Sequence, residues 1–261
     1  MEYTITAGAA SAATSTLAVS GGANGTFTAG DEMTVTFTPR DAQDNPATIT
    51  AEAADTITVA GAAPAQGSAW TQAGGVWTRT FTATTAGTGL TAGVTLGDGT
   101  VTSAPYSVTA GAASAATSTL AVSGGANGTF IAGDEMTVTF TPRDAQGNPA
   151  GIDTDILENV TVEGALPLLN TTWTQADGVW THTFTAASFG SELMAVLFLP
   201  DGAITSAAYT ITAGAASAAT STLAVSGGAI VPQNPGVHQH EKSACLSEQH
   251  TLIQLGGRED W

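Results

Sequence analysis

The sequence predicts an all-β fold: tandem β-sandwich domains of about seven strands each, followed by a disordered C-terminal tail. Three observations carry that prediction. The chain repeats itself with a fixed period. Each period is a series of short stretches in which apolar and small polar residues alternate. Between the stretches stand Gly, Asn, Asp and Pro in turn-forming combinations.

The repeat is read first. Tyr3-Thr4-Ile5-Thr6-Ala7-Gly8-Ala9-Ala10-Ser11 returns from Tyr106 to Ser114 and again from Tyr209 to Ser217, each time after 103 residues. Within that frame Pro39 aligns with Pro142, Trp70 with Trp173 and Trp77 with Trp180, without insertion or deletion. The period is too long for a solenoid unit and matches one immunoglobulin-like sandwich. The expected organisation is therefore residues 1–10 as the last strand of a preceding repeat, 11–112 and 113–215 as two whole repeats, and 216–229 as the truncated start of a third. Residues 230–261 form a tail of different composition, with three of the four His, the single Cys245 and the single Lys242. That tail is expected to be disordered, and the abrupt change after Ala229 suggests a truncation or frameshift.

Inside one period the elements follow in order. Leu17 and Val19 alternate with small residues. Met33, Val35 and Phe37 alternate with threonines, which gives one buried and one wet face. Asp41-Ala42-Gln43-Asp44-Asn45-Pro46 is a turn, and Asp144 to Pro149 is its twin. Ile57 and Val59 form a short strand. Gly74-Gly75, and Asp177-Gly178 in the second copy, suit a tight hairpin that needs positive φ. Trp77 and Phe81 share a strand face. Leu90, Ala92, Val94 and Leu96 alternate, and Gly97-Asp98-Gly99 turns the chain into Val101–Val108. No stretch shows helical periodicity. Arg79 shares the face of Trp77 and Phe81, and His182 replaces it in the second copy. A buried unpaired Arg is costly, so this position is expected at a sheet edge or sandwich rim, with its aliphatic stem packed.

Composition narrows the function. A net charge of −17 argues against nucleic acid and anionic membranes as partners. Residues 1–228 hold no Cys and no Lys, so neither a disulfide nor a Lys–Asn isopeptide crosslink can staple the repeats. One His, His182, lies in that region, and the first copy replaces it with Arg79. No Ser/His/Asp set therefore recurs. The neighbours Asp31-Glu32 and Asp134-Glu135 point to opposite strand faces, which disfavours a catalytic pair. No enzyme activity is expected.

Two candidate sites remain. Asp41, Asp44 and Asn45, with Asp144 and Asn148 in the second copy, gather oxygen ligands of the kind calcium takes. The same residues are ordinary turn formers, and apart from that calcium candidate no cofactor is expected. Met194, Val196 and Phe198 make the outer face of one second-copy strand apolar, where the first copy has Thr91, Gly93 and Thr95. That face is a possible partner-binding patch. The recurring Trp residues read better as core than as a carbohydrate platform. His238, His240, Cys245 and His250 in the tail fit no familiar zinc spacing.

The segments Ser15–Ser20, Asp31–Phe37, Asp41–Pro46, Gly75–Thr82 and Thr85–Thr88, with their second copies, resemble the bacterial Ig-like repeats of the invasin and intimin family. The resemblance covers roughly residues 11–228. It implies modules stacked into a stalk outside the outer membrane, holding an adhesive tip from the cell and anchored by regions not in this chain. The expected function is a structural spacer of a surface adhesin, in contact with neighbouring repeats of the same chain and with a possible host-cell or glycan receptor. The alternatives are a module that binds a glycan or host protein, and a spacer attached to a secreted enzyme.

Overall fold

The computed structural model describes Tyr3 and residues 6–224. The other residues of the first segment, residues 225–229 and the whole tail with its His and Cys lie outside the described residues. Tyr3 and residues 6–10, read above as part of a last strand, carry no strand. The described residues up to Ala215 belong to one compact unit.

The first period contains β1 (Thr16–Ser20), β2 (Thr26–Thr28), β3 (Glu32–Thr38), α1 (Ala51–Ala54), β4 (Thr58–Val59), β5 (Ala62–Pro64), β6 (Thr71–Ala73), β7 (Val76–Ala83), β8 (Gly87–Leu90), β9 (Ala92–Leu96), β10 (Gly99–Thr102) and β11 (Tyr106–Thr109). The second period repeats the order as β12 (Thr119–Ser123), β13 (Thr129–Ile131), β14 (Glu135–Thr141), α2 (Thr154–Leu157), β15 (Thr161–Val162), β16 (Ala165–Pro167), β17 (Thr174–Ala176), β18 (Val179–Ala186), β19 (Gly190–Leu193), β20 (Ala195–Leu199), β21 (Gly202–Thr205) and β22 (Tyr209–Thr212). In each period one sheet has five strands, ordered β1-β3-β7-β5 with β6 also on β7. Two three-stranded sheets, β10-β9-β4 and β2-β11-β8, complete the first period, and the second has their counterparts.

The strand count exceeds the seven expected because the chain changes sheets inside single apolar stretches. β4 pairs with β9, but β5, three residues on, pairs with β7. The crossing falls at Gly61, whose φ is 70°. β8 pairs with β11 while β9 pairs with β10 and β4. The stretch Val101–Val108 is likewise two strands, broken at Ser103, Ala104 and Pro105; Pro cannot serve a ladder interior. The two four-residue helices were also not foreseen. Each is a single turn held by an N-cap, Thr50 or Asp153, whose side chain accepts a backbone N–H.

The alternation read from Met33 to Phe37 is fully expressed: Met33, Val35 and Phe37 have no exposed surface. They pack with Trp77, Phe81, Val94 and Val108 in one core, and Met136, Val138 and Phe140 anchor a second core with Phe184, Leu197 and Ile211. The two cores share no buried residue. Tyr106 and Tyr209 close them: each hydroxyl donates across the module to a main-chain carbonyl, Ala60 at 2.5 Å and Glu163 at 2.6 Å. Burial raises both phenol pKa values. For Tyr209 the nearby Glu163 charge adds to that burial and the value reaches about 12.

Candidate functional site

The segment that joins the two periods concentrates the polar chemistry. β11 ends at Thr109, and the next residues run onto the turn of the second period. Gly111 N donates to Asp144 Oδ2 at 2.9 Å, and Ser114 N donates to Arg143 O at 2.8 Å. The Asp144 carboxylate is surrounded by donors. Oδ1 accepts from Gln146 N and Asn148 N, both at 2.9 Å, and both oxygens accept from Asn148 Nδ2. Such a cage satisfies a side chain that is 1% exposed. Burial alone would raise its pKa. The N–H groups of Asn148, Gly111 and Gln146 outweigh that and hold it below the usual carboxylate value.

Asn148 then reaches the first period. Its Nδ2 donates to Thr84 O at 2.8 Å, and its Oδ1 accepts from Ala86 N at 2.9 Å. One carboxamide thus bonds both polarities of a main-chain segment 62–64 residues away. The Gln146 side chain lies against Gly30 of the first period. The joint therefore consists of a short linker, an Asx-type turn and two loops, fixed chiefly by hydrogen bonds.

The first-period turn has the same local cage without the bridge. Asp41 accepts from Gly8 N, Gln43 N, Asn45 N and Asn45 Nδ2. The Gly8 N–H, followed by the Asn45 side chain, lowers its pKa from 3.8 to about 2. Asn45 is exposed here, whereas Asn148 is buried. Asp44 does not join the cage. It sits at φ 67° and faces Arg40, 3.5 Å from Nε. The loss of that carboxylate at Gly147 leaves the loop intact, because Arg143 Nη1 still donates to Gly147 O as Arg40 Nη1 does to Asp44 O. Asp41 with Asn45, and Asp144 with Asn148, are thus brought together, each carboxylate already engaged by N–H donors. Among the described residues no group of three His, Cys, Asp or Glu side chains is placed to hold a metal ion.

Met194, Val196 and Phe198 lie along or beside β20 on its outer face. Phe198 is 65% exposed and Met194 36%, while Val196 is half-buried. Sequence reasoning missed Asp98 and Asp201. Asp98 accepts from Ser11 Oγ at 2.6 Å and Ala12 N at 2.9 Å, and Asp201 accepts from Ala115 N, so each ties the start of its period to a distant hairpin. It also missed Thr84 and Ala86, which act through main-chain atoms that no side-chain pattern reveals.

Arg79 sits on β7, an inner strand of its sheet, facing the gap between β5 and β6. The rim reading is corrected in that respect. The position is a notch in the sheet, and the Arg is answered by Asp55, whose Oδ1 is 3.1 Å from Nη1.

Two separate cores joined by a bonded turn define a protein of tandem Ig-like sandwiches. Among solved structures the chain is similar to FdeC, an Escherichia coli adhesin, at 26% identity over 81% of this chain and 67% of that one, with a TM-score of 0.42. It is also similar to the Yersinia pseudotuberculosis adhesin InvE, at 19% identity over 78% of this chain and 60% of that one, with a TM-score of 0.36. A third neighbour, the tandem Ig repeats of Dlar, shares 13% identity over 72% of this chain and 92% of that one, at a TM-score of 0.21. These neighbours include bacterial adhesins and tandem Ig repeats. No protein-family model and no curated protein matches the chain. No helix among the described residues is long and apolar enough to cross a membrane.

Proposed function

We propose that this chain is a spacer segment of a bacterial surface adhesin, with each period an independently closed domain and the joint setting the angle between them. The observation that carries the reading is Asn148, which accepts from Ala86 N and donates to Thr84 O while also holding Asp144. A flexible tether would need no such bridge, and a spacer needs resistance to bending at its joints. The domain bounds, the extracellular location and the anchorage by regions outside this chain belong to the same proposal. The test is backbone ¹⁵N relaxation on the intact chain. The reading expects the two periods to tumble as one anisotropic body. Independent tumbling would remove the spacer role.

A second reading is favoured by one observation, the exposed Met194 and Phe198. In it the second period itself grips a host protein or glycan, and Phe198→Thr abolishes binding to host cells by the intact chain. Unchanged binding would retire it. Calcium at the two turns is a separate proposal. It requires Asp41 and Asp144 to exchange N–H donors for the ion, and a calorimetric titration without heat removes it.

A further inference from the structure

Positions 79 and 182 occupy the same place in the two periods, and their surroundings differ in an instructive way. Arg79 is held as a cation on an aromatic floor. Its guanidinium carbon lies 5.5 Å from the centroid of Phe81, and Trp70 packs edge-on to that ring at 6.1 Å. Asp55 supplies the counter-ion at 3.1 Å, and Ser68 Oγ accepts from Nε at 3.4 Å.

Each of these receiving groups persists 103 residues on. Phe184 stands for Phe81, Trp173 for Trp70, Glu158 for Asp55 and Thr171 for Ser68. Only the guanidinium is gone. Beside His182 lies a cavity of about 260 Å³, lined by Glu158, Thr171, Trp173, His182 and Phe184 among others. The His182 ring is inserted between the two aromatic residues, tilted at 53° to Trp173 with centroids 5.4 Å apart and edge-on to Phe184 at 4.8 Å. The single Thr171 hydroxyl hydrogen goes to Leu168 O at 2.6 Å, so the 3.1 Å contact with His182 must be donated by Nε2–H. Nδ1 is left buried, with no hydrogen-bond partner among the described residues. His182 makes no ion pair with Glu158 among the described residues. The second period therefore keeps the carboxylate and the Trp of the first-period site beside an open cavity, with an imidazole where the guanidinium lay against the Phe ring.

We propose that this cavity binds a guanidinium group, either an arginine side chain of a partner polypeptide or a free alkylguanidine, in the manner that the first period binds its own Arg79. A planar guanidinium stacks on aromatic faces and donates a forked pair to a carboxylate, which an ammonium does less well. Trp173 and the His182 ring are the platform and Glu158 is the counter-ion. The net charge of −17 favours the approach of any cation.

The test is an NMR titration of the ¹⁵N-labelled full chain with ethylguanidinium chloride, against ethylammonium chloride and sodium chloride at equal ionic strength. The expected result is saturable, guanidinium-specific shifts at Thr171, Phe184 and the Trp173 indole N–H, with none at Ser68, Phe81 or Trp70. His182→Arg fills the cavity from within and should abolish the response. Glu158→Gln should weaken it at least about tenfold, as loss of one charged hydrogen-bond partner does. Arg79→His should open a matching site in the first period. A short peptide with one arginine, run in parallel, separates the sources: tighter binding than ethylguanidinium assigns a polypeptide partner, weaker binding a free alkylguanidine. The proposal is overturned by shifts that ethylammonium or sodium chloride reproduces, by absence of saturation, or by an undiminished response in Glu158→Gln and His182→Arg.

Discussion

The two periods share their inward aromatic and methionine residues, vary some inward aliphatic ones in size, as from Ala54 to Leu157, Val94 to Leu197 and Val108 to Ile211, and differ in chemical kind at several outward positions. Met33, Val35 and Phe37 recur as Met136, Val138 and Phe140, all without exposed surface. Outside the core, Arg79 has become His182, Thr95 has become Phe198, and the Asn that is exposed at 45 is buried at 148. Inward positions are bound to their neighbours by packing, so a change there is felt throughout the module. Outward positions answer only to local contacts, and there the two copies were free to part. What the difference teaches is that the frame is common property while the notch, the outer face of β20 and the joint give each copy its own contacts.

The sharpest way to break this comparison is to damage one frame and watch the other. Phe37→Ala or Phe140→Ala should each cost about 3–5 kcal/mol, the usual range for a buried aromatic truncation. Hydrogen exchange should then speed up in the damaged period alone, since the cores share no buried residue. Exchange that rises equally in both periods would show one cooperative unit. Next in size is the paired substitution at the joint. Asn148→Ala strands Thr84 O and Ala86 N and should cost about 1–3 kcal/mol in thermal unfolding. Asn45→Ala removes only bonds to Asp41 and should cost less. Equal effects would deny the joint its special role.

A smaller effect is set by pH. The Asp41 pKa is depressed in the folded chain, from 3.8 to about 2. Its stabilising contribution is therefore complete above the ordinary carboxylate value and is lost as the pH falls through about 2. Carboxyl ¹³C NMR should show Asp41 titrating near that value, with Asp144 also below the ordinary range. A midpoint near 3.8 for Asp41 would mean that the cage around it is open in solution. Smallest is Phe198→Thr, which gives the second period the first period's residue. Stability should move within about 0.5 kcal/mol, as for other surface changes, while binding of a hydrophobic dye falls.

Much of the frame was legible because its signals are local. The Gly74-Gly75 turn has φ values of 56° and 84°, as a two-residue hairpin requires, and the Met33–Phe37 alternation became a buried strand face. Sheet switching was not legible. Leu90 and Ala92 sit in one alternating run, but the neighbours that assign them to different sheets lie elsewhere in the chain. The four-residue helices are too short to show a period. At the site, sequence grouped Asp144 with Asn148, which lie together in the fold, as turn formers and calcium candidates. Their contacts with Gly111, Thr84 and Ala86 are to main-chain atoms, which carry no residue-type signal. Asp55 escaped notice for a related reason: its partnership with Arg79 spans 24 residues and three intervening strands.

Within each period the early strand and the final one run in the same direction: β2 pairs in parallel with β11, and β13 with β22. If the chain is pulled from both ends, these two strands are drawn past one another lengthwise. The rungs between them are then strained together in shear, where an antiparallel hairpin would unzip them one at a time. A short ladder placed this way resists tension out of proportion to its length, and with no covalent staple in the module it can re-form once the force is released.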